Sequence, residues 1–523
     1  MEVLESCDSI IEECLATHQP LEKCIETCFD FLTKLIEFDE IYIYTYDETL
    51  EKRLFGIQPD LSGLSNFSLE NSPFSMKEAA FEKNGSTTFY VLPINFNGET
   101  IGVFGASRKK SGRFSDDMVL DIMYIASEQL DNYFFAIQES RRKYNVVTEI
   151  QKALASEVLK NAIDHSIEIL CSFVPLREVF LIFRDDDEAF SNLIQYYFYQ
   201  NTKRLFDSSK NKHSKIEEII GLNRKNLFNP DNREIEKALF SNQVLEIINL
   251  KNSHHHSIGK IFAVPVNKMG FSLVHKEMLR IFSECLTQRM VDFNRERTWL
   301  RNFFSYKDTE KLLSESNYIE KYLKPRQTTI GVMFADIAGF TKLCEQVLVK
   351  PERITQFIDS WSRKAVKFLF KNNGVLDKIV GDCILGLFGP PFNELPPGEL
   401  ARLTLKTAIS IRNFTHDFLQ WPENSDIRNS NFVQNFGVSF GVNLCSANIG
   451  LIGPNRNFTA FGSEINNTAR LQGVAGSQQI LLSKSIKEEI EKSGNQENWK
   501  FGNAESVQVK NVRDSLVYFR LLD

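Results

Sequence analysis

The chain has 523 residues, 42% hydrophobic and 25% charged, with a formal net charge of −7. That length suits about three domains with real cores, and the acidic balance argues against a protein that coats nucleic acid, because no basic excess is present to neutralise phosphates. No run of about eighteen apolar residues occurs, and the opening MEVLESCDSIIEECL is acidic and amphipathic, so neither a membrane span nor a secretory signal is predicted. The nine cysteines, an odd number with no CxxC pair, predict reduced thiols and a cytoplasmic setting. Cys24 and Cys28, four apart on a predicted helix face, read as core, as do the 43 scattered phenylalanines.

Residues 1–140 open with helical periodicity in SIIEECLATHQPLEKCIETCFDFLTKLI. The alternating EIYIYTYDE predicts a half-exposed strand. FYVLPINFNGETIGVFGASRK predicts two strands joined at Asn97–Gly98, a strong hairpin signal. A long helix, SDDMVLDIMYIASEQLDNYFFAIQES, closes the unit. Residues 141–300 repeat that order: helix YNVVTEIQKALASEVLKNAIDHSIEILCSFV, strand EVFLIFRDD, a polar middle, strand GKIFAVPV and a closing helix from about Phe271. This layout resembles two tandem GAF domains, which implies sensors for a small-molecule ligand of unknown identity. NKMGF, with Asn267, Lys268 and Phe271, resembles part of the signature of cyclic-nucleotide-associated GAF domains. His275 and Lys276 stand where that signature has its acidic pair, so ligand identity does not carry over. His254, His255 and His256 point in divergent directions with no companion ligand at i+3 or i+4, and read as a solvated tract rather than a metal site.

Leu279, Leu286, Phe293 and Leu300 recur every seventh residue, with Phe282 and Phe303 at partner positions. That repeat fits a parallel coiled coil or a core helix packed on its own domain equally well, and its place just before the last domain favours the coiled coil. It leads into a helical connector over 301–327, suited to passing a signal to the last domain, residues 328–523.

That domain opens with TTIGVMFADIAGFTKL, an apolar strand with Ile330, Val332 and Phe334 that delivers Asp336 to its own end. GVLDKIVGDCILGLFGPP reads as strand, Gly381–Asp382 turn and strand, and brings a second carboxylate to a tight turn. Two such carboxylates repel unless cations lie between them. Magnesium, which binds through one or two carboxylates plus substrate phosphates, fits that need. In NFTAFGSEINNTARLQGVAG, Asn466 and Arg470 fall at i, i+4 on one helix face, an arrangement suited to a phosphoryl transition state that gains negative charge.

The three segments together resemble the catalytic domain of class III nucleotidyl cyclases. The resemblance implies that Asp336 and Asp382 bind two Mg²⁺ ions per site (Mn²⁺ being an alternative), with the Ile337 carbonyl assisting. It further implies that Lys378 and Thr459 read the base and that Asn466 and Arg470 stabilise the transition state. Lys378 can donate to adenine N1 and Thr459 can accept from the N6 amino group, a pattern guanine reverses, so ATP is the expected substrate and cyclic AMP the product. Family members draw the metal and base-reading residues of one site from different protomers, which implies a head-to-tail homodimer. Thr459 also resembles a subgroup often stimulated by bicarbonate. The chain departs from the family at Gly462–Ser463, Ile465 and Ala447, and Val512 occupies the place of a triphosphate-binding lysine, leaving Lys510 or Arg513 for that task. Rival readings are a guanylate cyclase and a silent GAF-based dimerisation module; a diguanylate cyclase is excluded because no Gly-Gly-Asp-Glu-Phe run occurs. The expected fold is mixed α/β: two GAF-like domains, a helical coiled-coil connector and a ferredoxin-like βαββαβ cyclase domain.

Overall fold

A computed structural model describes residues 2–17, 19–46, 52–57, 79–96, 99–109, 112–184, 194–223, 226–241, 243–252, 256–432, 434, 436–508 and 515–522. Two compact units divide the chain, Met1–Glu149 and Ile150–Asp523.

In the first unit, α1 (Glu2–Ala16) and α2 (Leu21–Ile36) precede β1 (Glu40–Tyr46), β2 (Lys52–Ile57), β3 (Ala80–Asn84), β4 (Thr87–Phe96) and β5 (Glu99–Arg108). The strands form one antiparallel sheet in the order β2-β1-β5-β4-β3. The predicted strand pair is β4 and β5, whose Asn97–Gly98 turn lies outside the described residues. Helix α3 (Asp116–Leu154) runs unbroken across residue 140, because no glycine or proline interrupts it.

The second unit begins with α4 (Leu159–Phe173), β6 (Leu176–Arg184), β7 (Ile194–Gln200), β8 (Lys203–Asp207), α5 (Ser214–Asn223), α6 (Glu234–Leu239), β9 (Glu246–Lys251) and β10 (Ser257–Pro265). These strands form a second five-stranded antiparallel sheet, β8-β7-β6-β10-β9. As in the first sheet, its first strand lies beside its last. Where a GAF signature would have its acidic pair, Lys276 pairs with Glu246 at 3.1 Å and His275 packs edge-on against Phe173.

Helix α7 (Leu273–Arg301) carries the seven-residue repeat, and here the expectation of a coiled coil meets a correction. Leu279, Leu286, Phe293 and Leu300 are all buried within the single chain, where α7 packs on α4, β9 and α8 (Tyr306–Leu313). A face already covered by its own protomer cannot also be the seam of a two-stranded coiled coil. Residues 301–327 are not one rod. They hold α8, a π-helical turn at Ile319–Leu323 and the approach to the next strand.

The remaining elements are β11 (Arg326–Ile337), α9 (Phe340–Leu343), α10 (Pro351–Lys371), β12 (Gly374–Val380), β13 (Cys383–Phe388), α11 (Pro397–Phe418), α12 (Ser425–Arg428), β14 (Val438–Ile452), β15 (Asn457–Phe461), α13 (Ser463–Val474), β16 (Ile480–Ser483), α14 (Lys484–Lys492), β17 (Lys500–Phe501), β18 (Glu505–Val507) and β19 (Leu516–Leu522). Their sheet runs β12-β13-β11-β14-β16-β19-β17, with β15 paired to β14 and β18 to β19. Elements β11, α10, β12, β13, α11 and β14 give the expected βαββαβ order. Helices α10 and α11 cover one face, and between them Trp361, fully buried, donates its indole N–H to Thr415 at 2.9 Å. This core holds the sheet rigid, so strand ends and turns can carry polar groups at fixed positions.

Candidate active site

Strand β11 is buried from Ile330 to Met333 and again at Ala335 and Ile337, and delivers Asp336, half-buried, one residue from its end, opposite Ser439 of β14. The hairpin between β12 and β13 closes in two residues, with Val380 paired to Cys383. Gly381 adopts φ +64° there, a left-handed value that costs glycine nothing, and the turn presents Asp382 beside Asp336. Burial, and then the Asp336 charge, push the Asp382 carboxyl up to about 6, although the Ile337 backbone N–H donates to it. Burial also raises Asp336, against hydrogen bonds from Asp382 and Gln472. Gln472 sits on α13, and its Nε2 donates to Ser439 Oγ at 2.8 Å, which in turn donates to the Asp336 carbonyl at 3.2 Å.

Two half-buried carboxylates held against each other, with oxygen donors only, suit a hard divalent cation. Among the described residues no group of three His, Cys, Asp or Glu side chains is arranged to hold a metal. A cation here would draw on Asp336, Asp382 and backbone, solvent or phosphate oxygens, as Mg²⁺ commonly does.

A second cluster lies on β12 and β15. A bulge between Leu376 and Lys378 leaves Asp377 as the extra residue of β12, and its side chain is turned inward to 1% exposure. Thr459 Oγ1 lies 2.9 Å from both Asp377 oxygens, the Ala460 N–H donates at 3.1 Å, and Lys378 Nζ stands 3.3 Å away. Desolvation raises the Asp377 carboxyl despite these donors. Asp377, Lys378, Thr459, Ile452, Asn457 and the exposed Phe461 line a cleft of about 260 Å³. Neither Asp336 nor Asp382 lines it.

Helix α13 supplies the third set. Asn466 is exposed, while Arg470 is half-buried and donates to Asn467 Oδ1 at 3.0 Å. The helix lies directly on β14 at Gly441, where a Cβ would sit 2.4 Å from the Thr468 carbonyl oxygen and 2.6 Å from the Gln472 nitrogen.

Of the residues singled out in the sequence, Asp336, Ile337 and Asp382 therefore meet at one place, Lys378 and Thr459 at another, and Asn466 and Arg470 on α13. Ala447 is buried in β14, and its Cβ would stand an ordinary 3.8 Å from a Cβ built on Gly462. Lys510, Val512 and Arg513 lie outside the described residues. Sequence reasoning missed Asp377 and Gln472. Asp377 adjoins Lys378, but its bond to Thr459 spans 82 positions; Gln472 stands two residues past Arg470 on the helix face that turns back to Asp336.

Residues 323–522 match the family model described as the adenylate and guanylate cyclase catalytic domain. A Dictyostelium discoideum protein, "Adenylate cyclase, terminal-differentiation specific", is 23% identical over 199 residues, 37% of this chain and 9% of that relative. The chain thus spans under a tenth of the length of that curated relative. Among solved structures, the adenylyl cyclase CyaB from P. aeruginosa is 22% identical, with 38% of this chain and 97% of that one covered and a TM-score of 0.34. The guanylyl cyclase Cya2 is 21% identical, with 38% and 93% covered and a TM-score of 0.33. The C-terminal part of the chain, residues 323–522, is an adenylate and guanylate cyclase catalytic domain.

Proposed function

We propose that the protein is an adenylate cyclase that converts ATP to 3′,5′-cyclic AMP and pyrophosphate. The observation that carries this reading is the cleft in which an ammonium donor, Lys378, and a hydroxyl, Thr459, flank the same space. Adenine offers an acceptor at N1 and an amino donor at C6, which that pair matches; guanine would set its N1–H against the lysine, donor to donor.

In the reaction the ribose 3′-oxygen bonds to the α-phosphorus, the bond from that phosphorus to the bridging oxygen breaks, and pyrophosphate leaves with the electron pair. The hydroxyl proton passes to solvent or to Asp336. Two Mg²⁺ ions held by Asp336, Asp382 and the Ile337 carbonyl would lower the hydroxyl's pKa and neutralise the leaving group. Asn466 orients the ribose and Arg470 spreads the charge that grows on the phosphoryl oxygens. The carboxylates and the cleft form separate clusters in one chain, so we infer two composite sites in a head-to-tail homodimer. We also infer that the two N-terminal five-stranded domains are GAF-like sensors regulating the cyclase.

The test is cyclic nucleotide formation by the purified protein from ATP or GTP, with Mg²⁺ or Mn²⁺, beside Asp336→Ala. Cyclic AMP from ATP, lost in the variant, is expected. Cyclic GMP as the main product would make this a guanylate cyclase, and no product with either nucleotide would leave a silent dimerisation module.

A further inference from the structure

The cleft contains one group that the six expected residues do not include. Asp377 is a buried carboxylate, and burying one is costly unless donors surround it. Three do: the Thr459 hydroxyl, the Ala460 N–H and the Lys378 ammonium. Two of these three belong to the side chains that line the cleft.

A threonine hydroxyl has one proton and two lone pairs. With its proton directed at Asp377, Thr459 Oγ1 can face the cleft only as an acceptor. An acceptor there meets the amino group of adenine well and the O6 oxygen of guanine badly, since two lone pairs would then oppose each other. The same carboxylate draws the Lys378 ammonium to its side of the cleft, although about half of that side chain stands in solvent. The bulge makes this possible. It turns Asp377 inward toward β15, while its neighbour Lys378 stays outside.

We propose that Asp377 is the positioning residue that sets the purine preference of the cleft, by fixing Thr459 as a hydrogen-bond acceptor and holding the Lys378 ammonium, a donor, at its side of the cleft. This rests on the assignment of Lys378 and Thr459 as base readers. With its side chain 1% exposed and its oxygens taken up by Thr459, Ala460 and Lys378, Asp377 acts through those two side chains.

The decisive variant is Asp377→Asn. Its amide oxygen can keep the Ala460 N–H while its NH₂ group donates to Thr459 Oγ1, which turns the threonine proton out into the cleft. Thr459 then becomes a donor, which suits guanine O6. In the full-length protein the ratio of kcat/KM for ATP to that for GTP should fall by about tenfold, the scale set by leaving one buried donor or acceptor unmatched. Turnover of GTP should not fall in step with that of ATP. Asp377→Glu keeps a carboxylate acceptor and should hold the ratio within a few-fold of wild type. Thermal unfolding checks that each variant is folded, and Asp377→Ser replaces the amide should Asp377→Asn fail to fold. Equal loss with both nucleotides in a folded variant, leaving the ratio unchanged, would reduce Asp377 to a structural role and overturn the assignment. A wild-type protein that makes no cyclic product is a different failure, since there the cyclase reading falls first and this inference with it.

Discussion

Replacing Asp382 by asparagine should stabilise the metal-free catalytic domain while abolishing its response to magnesium. In the folded chain Asp382 keeps its proton up to about pH 6, against an ordinary value of 3.8, because it is half-buried and faces Asp336. Between those values the folded state binds more proton than the unfolded one. Stability therefore falls as pH rises through the window from about 4 to about 6, and the penalty is complete above it. A shift of about two units corresponds to about 3 kcal/mol, which solvent screening at a half-exposed carboxylate reduces to about 1 kcal/mol. At pH 7.5 in EDTA, Asp382→Asn should thus raise the unfolding free energy by about 1 kcal/mol, and near pH 4 the gain should vanish. Trp361, Trp421 and Trp499, three of the four tryptophans, pack in or against the cyclase core, so urea unfolding followed by tryptophan fluorescence reads this domain. Millimolar Mg²⁺ should stabilise the wild type at pH 7.5, by preferential binding to the folded state, and leave the variant unmoved. A variant less stable than wild type in EDTA at pH 7.5, or one that gains as much from Mg²⁺, would refute the idea that the two carboxylates are held apart from their charges for a cation.

Other consequences follow from packing and burial. Gly441→Ala places a methyl group against the backbone of α13 and should cost about 3 kcal/mol, with loss of activity because Asn466 and Arg470 ride on that helix; a thermal melt and an initial-rate assay check it. Phe304, fully buried and edge-on to Phe458 at 4.9 Å, should cost about 3–5 kcal/mol when cut to alanine, and in the folded fraction KM for ATP should rise more than the Mg²⁺ requirement. Burial holds the thiols of Cys7 and Cys28 up to about 11 and about 12, so under about one part in a thousand is thiolate at pH 7.5. Mass spectrometry after brief iodoacetamide treatment should find both unmodified in the native protein and alkylated after denaturation.

The meeting of the two carboxylates was legible because its information is local. An apolar strand that ends in Asp336, and a Gly381–Asp382 turn between two strands, can be read within about a dozen residues each. The βαββαβ order came with the resemblance to the cyclase family that these segments carry. Long-range partners were not legible: nothing near Thr459 announces that its hydroxyl belongs to Asp377, 82 positions earlier. The bulge also breaks the period of two that would have assigned Asp377 to a face. The repeat on α7 was legible as a buried face but not as to what buries it. A helix covered by its own domain and a helix covered by a second copy both need an apolar residue every three or four positions, and the pattern is silent on which supplies the cover. In the polar middle of the second domain, β7, with Tyr196 and Tyr199 buried, passed unread because its tyrosines look polar in sequence while their rings fill the interior and their hydroxyls find Glu217 and Asp164.

The bulge in β12 joins two matters that the sequence keeps apart. An inserted residue disturbs the ladder and leaves a backbone group without its usual strand partner. Here the Leu376 N–H is taken up by the carbonyl of Phe303 at 2.8 Å, just past the end of α7. The next residue, Phe304, packs on Phe458, the neighbour of Thr459. The segment leaving α7 therefore grips both strands that carry the cleft, one by a hydrogen bond and one by a ring, immediately beside Asp377 and Thr459. The carboxylates Asp336 and Asp382 sit at the far end of the β12 hairpin, about four residues or roughly 13 Å of strand beyond Lys378. A displacement of the α7 end thus reaches Lys378 and Thr459 before Asp336 and Asp382, so under the proposed function a signal passed by this route would register first in nucleotide binding.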